Sequence, residues 1–546
     1  MSKTDDNYIA GMTAARTRLP DDYRHHTLAD LFWHQARVNA NRLALVANTA
    51  QGLEARVTYA QLAHLAEKFA RGLERLGARP GDKVAILADN RVGYEACVSY
   101  LACIRAGYIA VPINARFARE EIDHAAGLAE VRFLIHDARY IDTIGDIRAR
   151  IAGIETLIRI GGSEDGASSA LAWEGVSVRP APDAAPWPVQ DKDDISEILF
   201  TSGSTARPKA AMLSTGSGVY AACAFAWAVD LHEGDVYQSF FPFFTTAGIR
   251  CVMLPGWAVG ATVVLDPELD VHRIMRRMDS ERTTVYVAVP SFYIFLLEAY
   301  DPAVNDLSSL RVFDAGGAAL LPVTTTSLMQ TFPGIDIRQT YGGTEGGPSG
   351  TVLAGYQALN KLGSAGTCWP HTELRIFDDD DHEVPLGDLG EIVLRSPGIF
   401  SGYYRNDEAS RDTLRNGWLH TGDIGRVDAD GYLYVIDRKK DLVIRGGHNI
   451  GTLEVERVLM RHPRISEAAV IGIAHSKLGE DLLAVVKTLD GAEIEPSELR
   501  EFCADKLADF KTPRNYVFVA DFPRTGMGKI LKPDLRQLYR DFRRDK

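Results

Sequence analysis

Thr58-Tyr-Ala-Gln61, followed by Leu62, Leu65, Phe69, Leu73 and Leu76 and closed by Gly77, opens the stretch on which the fold turns. A threonine that caps the third helical N–H, with a glutamine reaching back to it, is a capping box, and the apolar positions behind it recur at helical spacing. Pro80-Gly81-Asp82 then turns the chain into the short apolar run Val84-Ala-Ile-Leu87. A second helical segment, about Tyr94 to Arg105, ends at Gly107 ahead of the strand Tyr108 to Val111, and Glu120 to Ala126 leads to Val131-Arg-Phe-Leu-Ile135. Helix and strand alternating at this interval predict a mainly parallel sheet with helices on its faces.

Around that stretch lie 546 residues, too many for one core, and roughly three or four folding units are expected. With 46% hydrophobic and 24% charged residues the composition is globular, and a net charge of -13 argues against a general nucleic-acid binder. Six cysteines are scattered without a Cys-x-x-Cys pair, which indicates neither a zinc site nor a disulfide framework and fits a reducing cytoplasm. No apolar segment near Met1 reads as a secretion signal, and serines and glycines interrupt the longest uncharged run, Ala210 to Val229. A soluble chain is expected, with peripheral membrane contact and a homodimer left open.

Phe200-Thr-Ser-Gly-Ser-Thr-Ala-Arg-Pro-Lys-Ala210 follows the apolar run Ile195 to Phe200. Thr201, Ser202, Ser204 and Thr205 offer hydroxyls, Gly203 lets backbone N–H groups close on an oxyanion, and Lys209 supplies positive charge. The spacing is not that of a Walker loop, and a solvated turn is the alternative. Gly316 and Gly317 at a strand end permit close approach of a flat ligand, or simply a tight strand–helix turn. Tyr341-Gly-Gly-Thr-Glu345 combines an aromatic face, a hydroxyl at Thr344 and a carboxylate suited to Mg²⁺. Trp418-Leu-His-Thr-Gly-Asp423 places a carboxylate at a turn, for a ribose or an Asx turn. Asp437-Arg-Lys-Lys-Asp441 is a charge cluster between apolar strands, and Pro523-Arg-Thr-Gly-Met-Gly-Lys529 ends in a lysine that alone would read as solvated.

Together and in this order these windows resemble the adenylate-forming superfamily, in particular its acyl-CoA synthetases. Gly363-Ser-Ala-Gly366, Gly390-Glu-Ile and Gly402-Tyr-Tyr extend the resemblance over nearly the whole chain. It implies an α/β multidomain protein: a large N-terminal domain (1–437) of mainly parallel sheets with helices, with a small β-barrel-like subdomain at about 350–437. A hinge at 438–440 and a small mobile α+β C-terminal domain (441–546) follow. It further implies an ATP-dependent acid–CoA ligase that forms an acyl adenylate and pyrophosphate, then a thioester and AMP, with ATP, Mg²⁺ and coenzyme A. The alternatives are an enzyme loading a separate carrier protein and a catalytically weakened nucleotide-binding relative.

On the family pattern, Thr201 to Lys209 would hold the β and γ phosphates, and Glu345 with Thr201 would hold Mg²⁺. Tyr341, Gly316 and Gly317 would form the adenine slot, Asp423 and Arg438 would hold the ribose, and Thr344 would meet the α-phosphate. Lys529 would bridge the carboxylate and the α-phosphate, Lys440 would be the hinge, and Gly446 and Gly447 would line the thiol tunnel. Phe243, Phe244, Thr245, Gly248, Gly316, Gly343 and Gly346 would border an apolar acyl pocket for a fatty or aromatic monocarboxylic acid. Arg250 is expected in an ion pair away from that pocket rather than on a second carboxylate. The chain departs from the pattern at Ala206 and Ala210 (commonly glycine), at Thr245 (frequently histidine) and at Gly451-Thr452 (commonly an aromatic–proline pair).

Overall fold

The computed structural model describes residues 27–162, 170–177, 185–201, 208–446, 448–475, 477–524, 530–540 and 542. By its internal contacts the described chain divides into two units, one running to 374 and including 394–419, the other comprising 375–393 and 420 onward. The short strands Glu373–Phe377, Gly390–Arg395 and Trp418–Val427 lie where the chain passes from one unit to the other.

The first unit is built on two sheets. Helix Tyr59–Arg75 carries the expected capping box of Thr58 and Gln61, and helix Gly93–Ala106 stops at Gly107, whose φ of 71° is left-handed backbone that favours glycine. Between and after them, strands Lys83–Leu87, Ile109–Pro112, Phe133–Asp137 and Thr156–Ile160 are parallel, and Ile195–Thr201 joins them on the Ile109–Pro112 side. Strand Lys209–Ser214 adds antiparallel to Ile195–Thr201 and the two-residue strand Gly402–Tyr403 closes that edge; with Leu171–Ala172 beside Thr156–Ile160 at the other edge, the sheet has eight strands among the described residues. Leu87, Val111, Leu134, Ile198 and Ala210 share one buried cluster, which is why these strands read as nearly continuous apolar runs.

Among the described residues the second sheet has nine strands. Leu43–Asn48, Thr262–Leu265, Val236–Ser239, Val285–Ala288, Val312–Ala315 and Asp336–Gly342 are parallel, with antiparallel strands at both edges. The segment 161–194, rich in Gly, Ser, Ala, Pro and Asp, contains a strand at Leu171–Ala172 and a helical turn at Trp173–Val176. Trp173 is buried there against Phe69 and donates its indole N–H to Ser99 at 2.9 Å, a tertiary contact that composition does not announce.

In the second unit, strands Val443–Arg445, His448–Ile450, Ile465–His475, Gly479–Thr488 and Asn515–Phe518 form one sheet, with helices at Thr452–Leu459, Pro496–Ala504 and Lys532–Leu538. This is the small α+β arrangement expected of the C-terminal region. Among the described residues no helix is long and apolar enough to cross a membrane.

Candidate active site

The hairpin Ile195–Thr201/Lys209–Ser214 sets Thr201 opposite Lys209, so the lysine and the first hydroxyl of the glycine- and serine-rich window are neighbours at the end from which 202–208 run. Ser202, Gly203, Ser204 and Thr205, and with them Ala206, lie outside the described residues. The Thr201 hydroxyl is buried with no hydrogen-bond partner among the described residues. Lys209 places its ammonium 4.8 Å from the centre of the Tyr403 ring. Ala210, one of the two unexpected alanines, has its methyl in the core cluster, where a glycine would leave space and add backbone freedom to a strand.

Tyr341 is the last residue but one of the strand Asp336–Gly342, and the chain then turns through Gly343, Thr344 and Glu345. The Thr344 hydroxyl lies 2.7 Å from that of Thr246, and the Tyr403 hydroxyl donates to Glu345 Oε1 at 2.7 Å. Gly316 and Gly317 leave the neighbouring parallel strand Val312–Ala315, so the paired glycines and Tyr341 stand at adjacent strand ends, where open α/β sheets bind ligands. Gly317 has φ +79°, and a Cβ on Gly316 would come within 3.1 Å of the Thr340 hydroxyl.

That hydroxyl donates to Asp314 Oδ2 at 2.9 Å. Burial pushes the Asp314 carboxyl up to about 7 against the lowering influence of Thr340 and Arg338. A carboxyl raised in this way keeps, between about pH 4 and pH 7, a proton that the unfolded chain has released, so stability falls as pH rises through that window and levels off above it. Asp314→Asn is expected to remove this part of the slope: its melting temperature should drop less than the wild type's between about pH 5 and pH 8. Equal drops in both proteins would exclude Asp314 as the titrating group.

Of the acyl-pocket candidates, Phe243, Phe244, Thr245 and Gly248 sit where the chain leaves strand Val236–Ser239, while Gly316 follows Val312–Ala315 and Gly343 and Gly346 follow Asp336–Gly342. Phe243 and Phe244 are buried, and Asn90, which the sequence did not single out, accepts the Phe243 N–H at 2.8 Å and donates to the carbonyls of Phe241 and Asp266. The Thr245 hydroxyl donates to the Pro242 carbonyl at 2.7 Å and accepts the Gly248 N–H at 2.9 Å, so it shapes the turn. A Cβ on Gly248 would stand 2.2 Å from the same carbonyl, which admits only glycine. Residues Ala247–Met253 form a π-helix, a geometry that in proteins is often found at functional sites. Within it Arg250 is fully buried and bonds Glu197 Oε2 through Nε at 2.7 Å and Nη2 at 2.5 Å, as the ion-pair expectation had it.

In the second unit Asp423 and Arg438 face each other on antiparallel strands, with Arg438 Nε 2.7 Å from Asp423 Oδ1. Gly446 is exposed at φ +59°, while Gly447 and Lys529 lie outside the described residues. Lys440 follows the Asp423–Arg438 pair in a turn. The Gly451-Thr452 departure has a structural cause. A Cβ at 451 would come within 2.8 Å of Ile436 Cγ2, and Thr452 donates both its backbone N–H and its hydroxyl to Asp437 Oδ2, the N–H being a donor that proline lacks. Lys532 donates in turn to the Thr452 hydroxyl at 2.6 Å and pairs with Glu456 at 2.8 Å.

The sequence profile of the AMP-binding enzyme family matches residues 32–404, and that of the AMP-binding enzyme C-terminal domain matches residues 454–529. A feruloyl-CoA synthase of Amycolatopsis sp is 34% identical over 88% of this chain and 94% of its own length. The long-chain-fatty-acid–CoA ligase FadD13 of Mycobacterium tuberculosis is 33% identical over 89% of this chain and 94% of its own. Among solved structures, the anthranilate CoA ligase AuaEII in complex with anthranoyl-AMP superposes with a TM-score of 0.85 at 27% identity, over 94% of this chain and 98% of that one.

Proposed function

The chain belongs to the AMP-binding enzyme family and is an AMP-forming acyl-CoA synthetase, and within that activity we propose that it activates a monocarboxylic acid, aromatic or fatty, through the residues assembled above. A carboxylate is a poor electrophile, and attack by its oxygen on the α-phosphorus of ATP with loss of pyrophosphate turns the acyl carbon into one that a thiol can reach. The thiol sulfur of coenzyme A then attacks that carbon and AMP departs. The substrate is its own nucleophile in the first step, so the protein's task is to position groups and to stabilise charge.

On this reading Lys209 and the Thr201 hydroxyl grip the β and γ phosphates, Thr344 meets the α-phosphate, and Tyr341 with Gly316 and Gly317 receives adenine. Asp423 and Arg438 bind the ribose. Glu345 and Thr201 suit a hard divalent cation: Tyr403 engages one Glu345 oxygen, leaving the other for a ligand, and the Thr201 hydroxyl is a buried oxygen with no partner among the described residues. Mg²⁺ held there would neutralise phosphate charge. Lys529 serves the first half-reaction, and rotation of the C-terminal region about 438–440 brings Gly446 and Gly447 to the thiol path for the second. Six free cysteines, none paired, fit a cytoplasmic enzyme.

The observation that carries the monoacid class is the Arg250–Glu197 pair. Arg250 is the basic side chain of the Phe241–Arg250 segment, and Glu197 already satisfies it. The flanking Phe243 and Phe244 make that segment apolar. A panel of arylacrylic, arylacetic, long-chain and dicarboxylic acids, assayed for AMP and pyrophosphate with CoA and hydroxylamine as competing acceptors, tests this. Thioester formation with aromatic or fatty monoacids is expected. Preference for a dicarboxylate would overturn the acid class, and hydroxamate without any thioester would overturn the acceptor.

A further inference from the structure

We infer that Tyr403 is a positioning residue for the first half-reaction, holding Glu345 for the metal with its hydroxyl and Lys209 for the phosphates with its ring. The inference rests on the roles proposed above for those two residues. Tyr403 belongs to the two-residue strand Gly402–Tyr403, whose backbone is fixed to the strand that carries Lys209. Ser401 N–H donates to Met212 O and Tyr404 N–H to Ala210 O, both at 2.8 Å, so the tyrosine is locked at either side. Its own N–H donates to the Ser410 hydroxyl at 2.8 Å.

The side chain is buried and, among the described residues, meets groups of opposite charge with its hydroxyl and its ring. Its hydroxyl donates to Glu345 Oε1 at 2.7 Å, and its ring lies under the Lys209 ammonium at 4.8 Å. Phe400 meets the ring edge-on at 4.9 Å, and the Phe400 N–H holds the Glu345 carbonyl at 2.9 Å, so ring and carboxylate are supported from one segment. A charge-assisted hydrogen bond to one carboxylate oxygen restricts the Glu345 rotamer and turns the other oxygen to a ligand. The ring face attracts the ammonium without neutralising it. Among the described residues Lys209 and Glu345 form no direct ion pair, which would have withdrawn both groups from ATP and its cation.

Two substitutions separate the two contacts. Tyr403→Phe keeps the ring and deletes the hydroxyl, so it should raise the Mg²⁺ concentration needed for half-maximal acid-dependent ATP–pyrophosphate exchange by about 10-fold. Binding of Mn²⁺ to the enzyme–ATP complex, read by electron paramagnetic resonance, should weaken in parallel. Thioester formation from supplied acyl adenylate and CoA should stay within about 2-fold of the wild type, since neither contact bears on it. Tyr403→Leu removes the ring as well and should add a loss of about 3-fold in ATP affinity by calorimetry. An unchanged metal requirement in Tyr403→Phe, or an equal loss of both half-reactions, overturns the inference. Glu345→Gln run alongside separates the causes: if it leaves metal binding intact, the metal role of Glu345 is wrong. If it weakens metal binding while Tyr403→Phe does not, only the role of Tyr403 is lost.

Discussion

Arg250→Met is expected to lower the unfolding free energy by about 3–5 kcal/mol, read as a reduced denaturant midpoint, because it strands a carboxylate in the core. Arg250 and Glu197 are both fully buried. The guanidinium takes Glu197 Oε2, and the Tyr100 hydroxyl takes Oε1. Without the cation, the buried carboxylate keeps only the Tyr100 hydroxyl and loses its counter-charge. Adding Glu197→Gln should recover at least about 1 kcal/mol of the loss, a coupling that independent sites would not show.

Activity should fall in the same variant under conditions where it remains folded. Arg250 also donates to the carbonyls of Ser214 and Gly347 and to the Ser217 hydroxyl, at 3.3, 3.3 and 3.0 Å. It thereby joins the end of the Lys209 strand, the following helix and the loop beyond Glu345 to the π-helix beside the acyl-pocket candidates. A midpoint equal to the wild type's would show that the pair carries no stability. Full activity would show that it does not organise the site.

Lys529→Ala is expected to reduce acid-dependent pyrophosphate exchange by at least about 100-fold, since a contact to charge that develops in the transition state commonly carries about 2.7–4 kcal/mol. It should leave conversion of supplied acyl adenylate to thioester nearly intact. Lys440→Pro should do the reverse, because a fixed φ in the proposed hinge opposes the rearrangement between half-reactions while leaving the adenylation groups in place. Equal loss of pyrophosphate exchange in both variants would remove the assignment of Lys529 to one half-reaction and of Lys440 to the change between them.

Local features of the chain translated directly. Thr58 and Gln61 cap the helix that their spacing predicts, and Gly107 ends the next one, because such signals act within one turn of backbone. Tyr341 and the Gly316–Gly317 pair leave adjacent parallel strands, a closeness that only the family resemblance had implied. Asp423 and Arg438, fifteen positions apart, were legible as a pair only through the family order, and their antiparallel register makes the contact. The departures were legible as departures but not as causes. The room for the Ala210 methyl, the Ile436 side chain against Gly451 and the Asp437 carboxylate waiting for Thr452 lie in tertiary structure.

What the sequence determined by itself is the order of chemical groups: the hydroxyls and lysine at 201–209, the aromatic and carboxylate at 341–345, the acidic and basic pair at 423 and 438, and the helix and strand periods between them. Those depend on composition and on spacings short enough for one element to enforce. The tertiary structure decided the partnerships: Glu197 with Arg250 across 53 positions, Asn90 with the Phe243 turn across 153, and Tyr403 with both Glu345 and Lys209. The physical reason is that a buried side chain's partner is set by strand register and by what else fills the space. In an isolated tyrosine or asparagine nothing local records that choice.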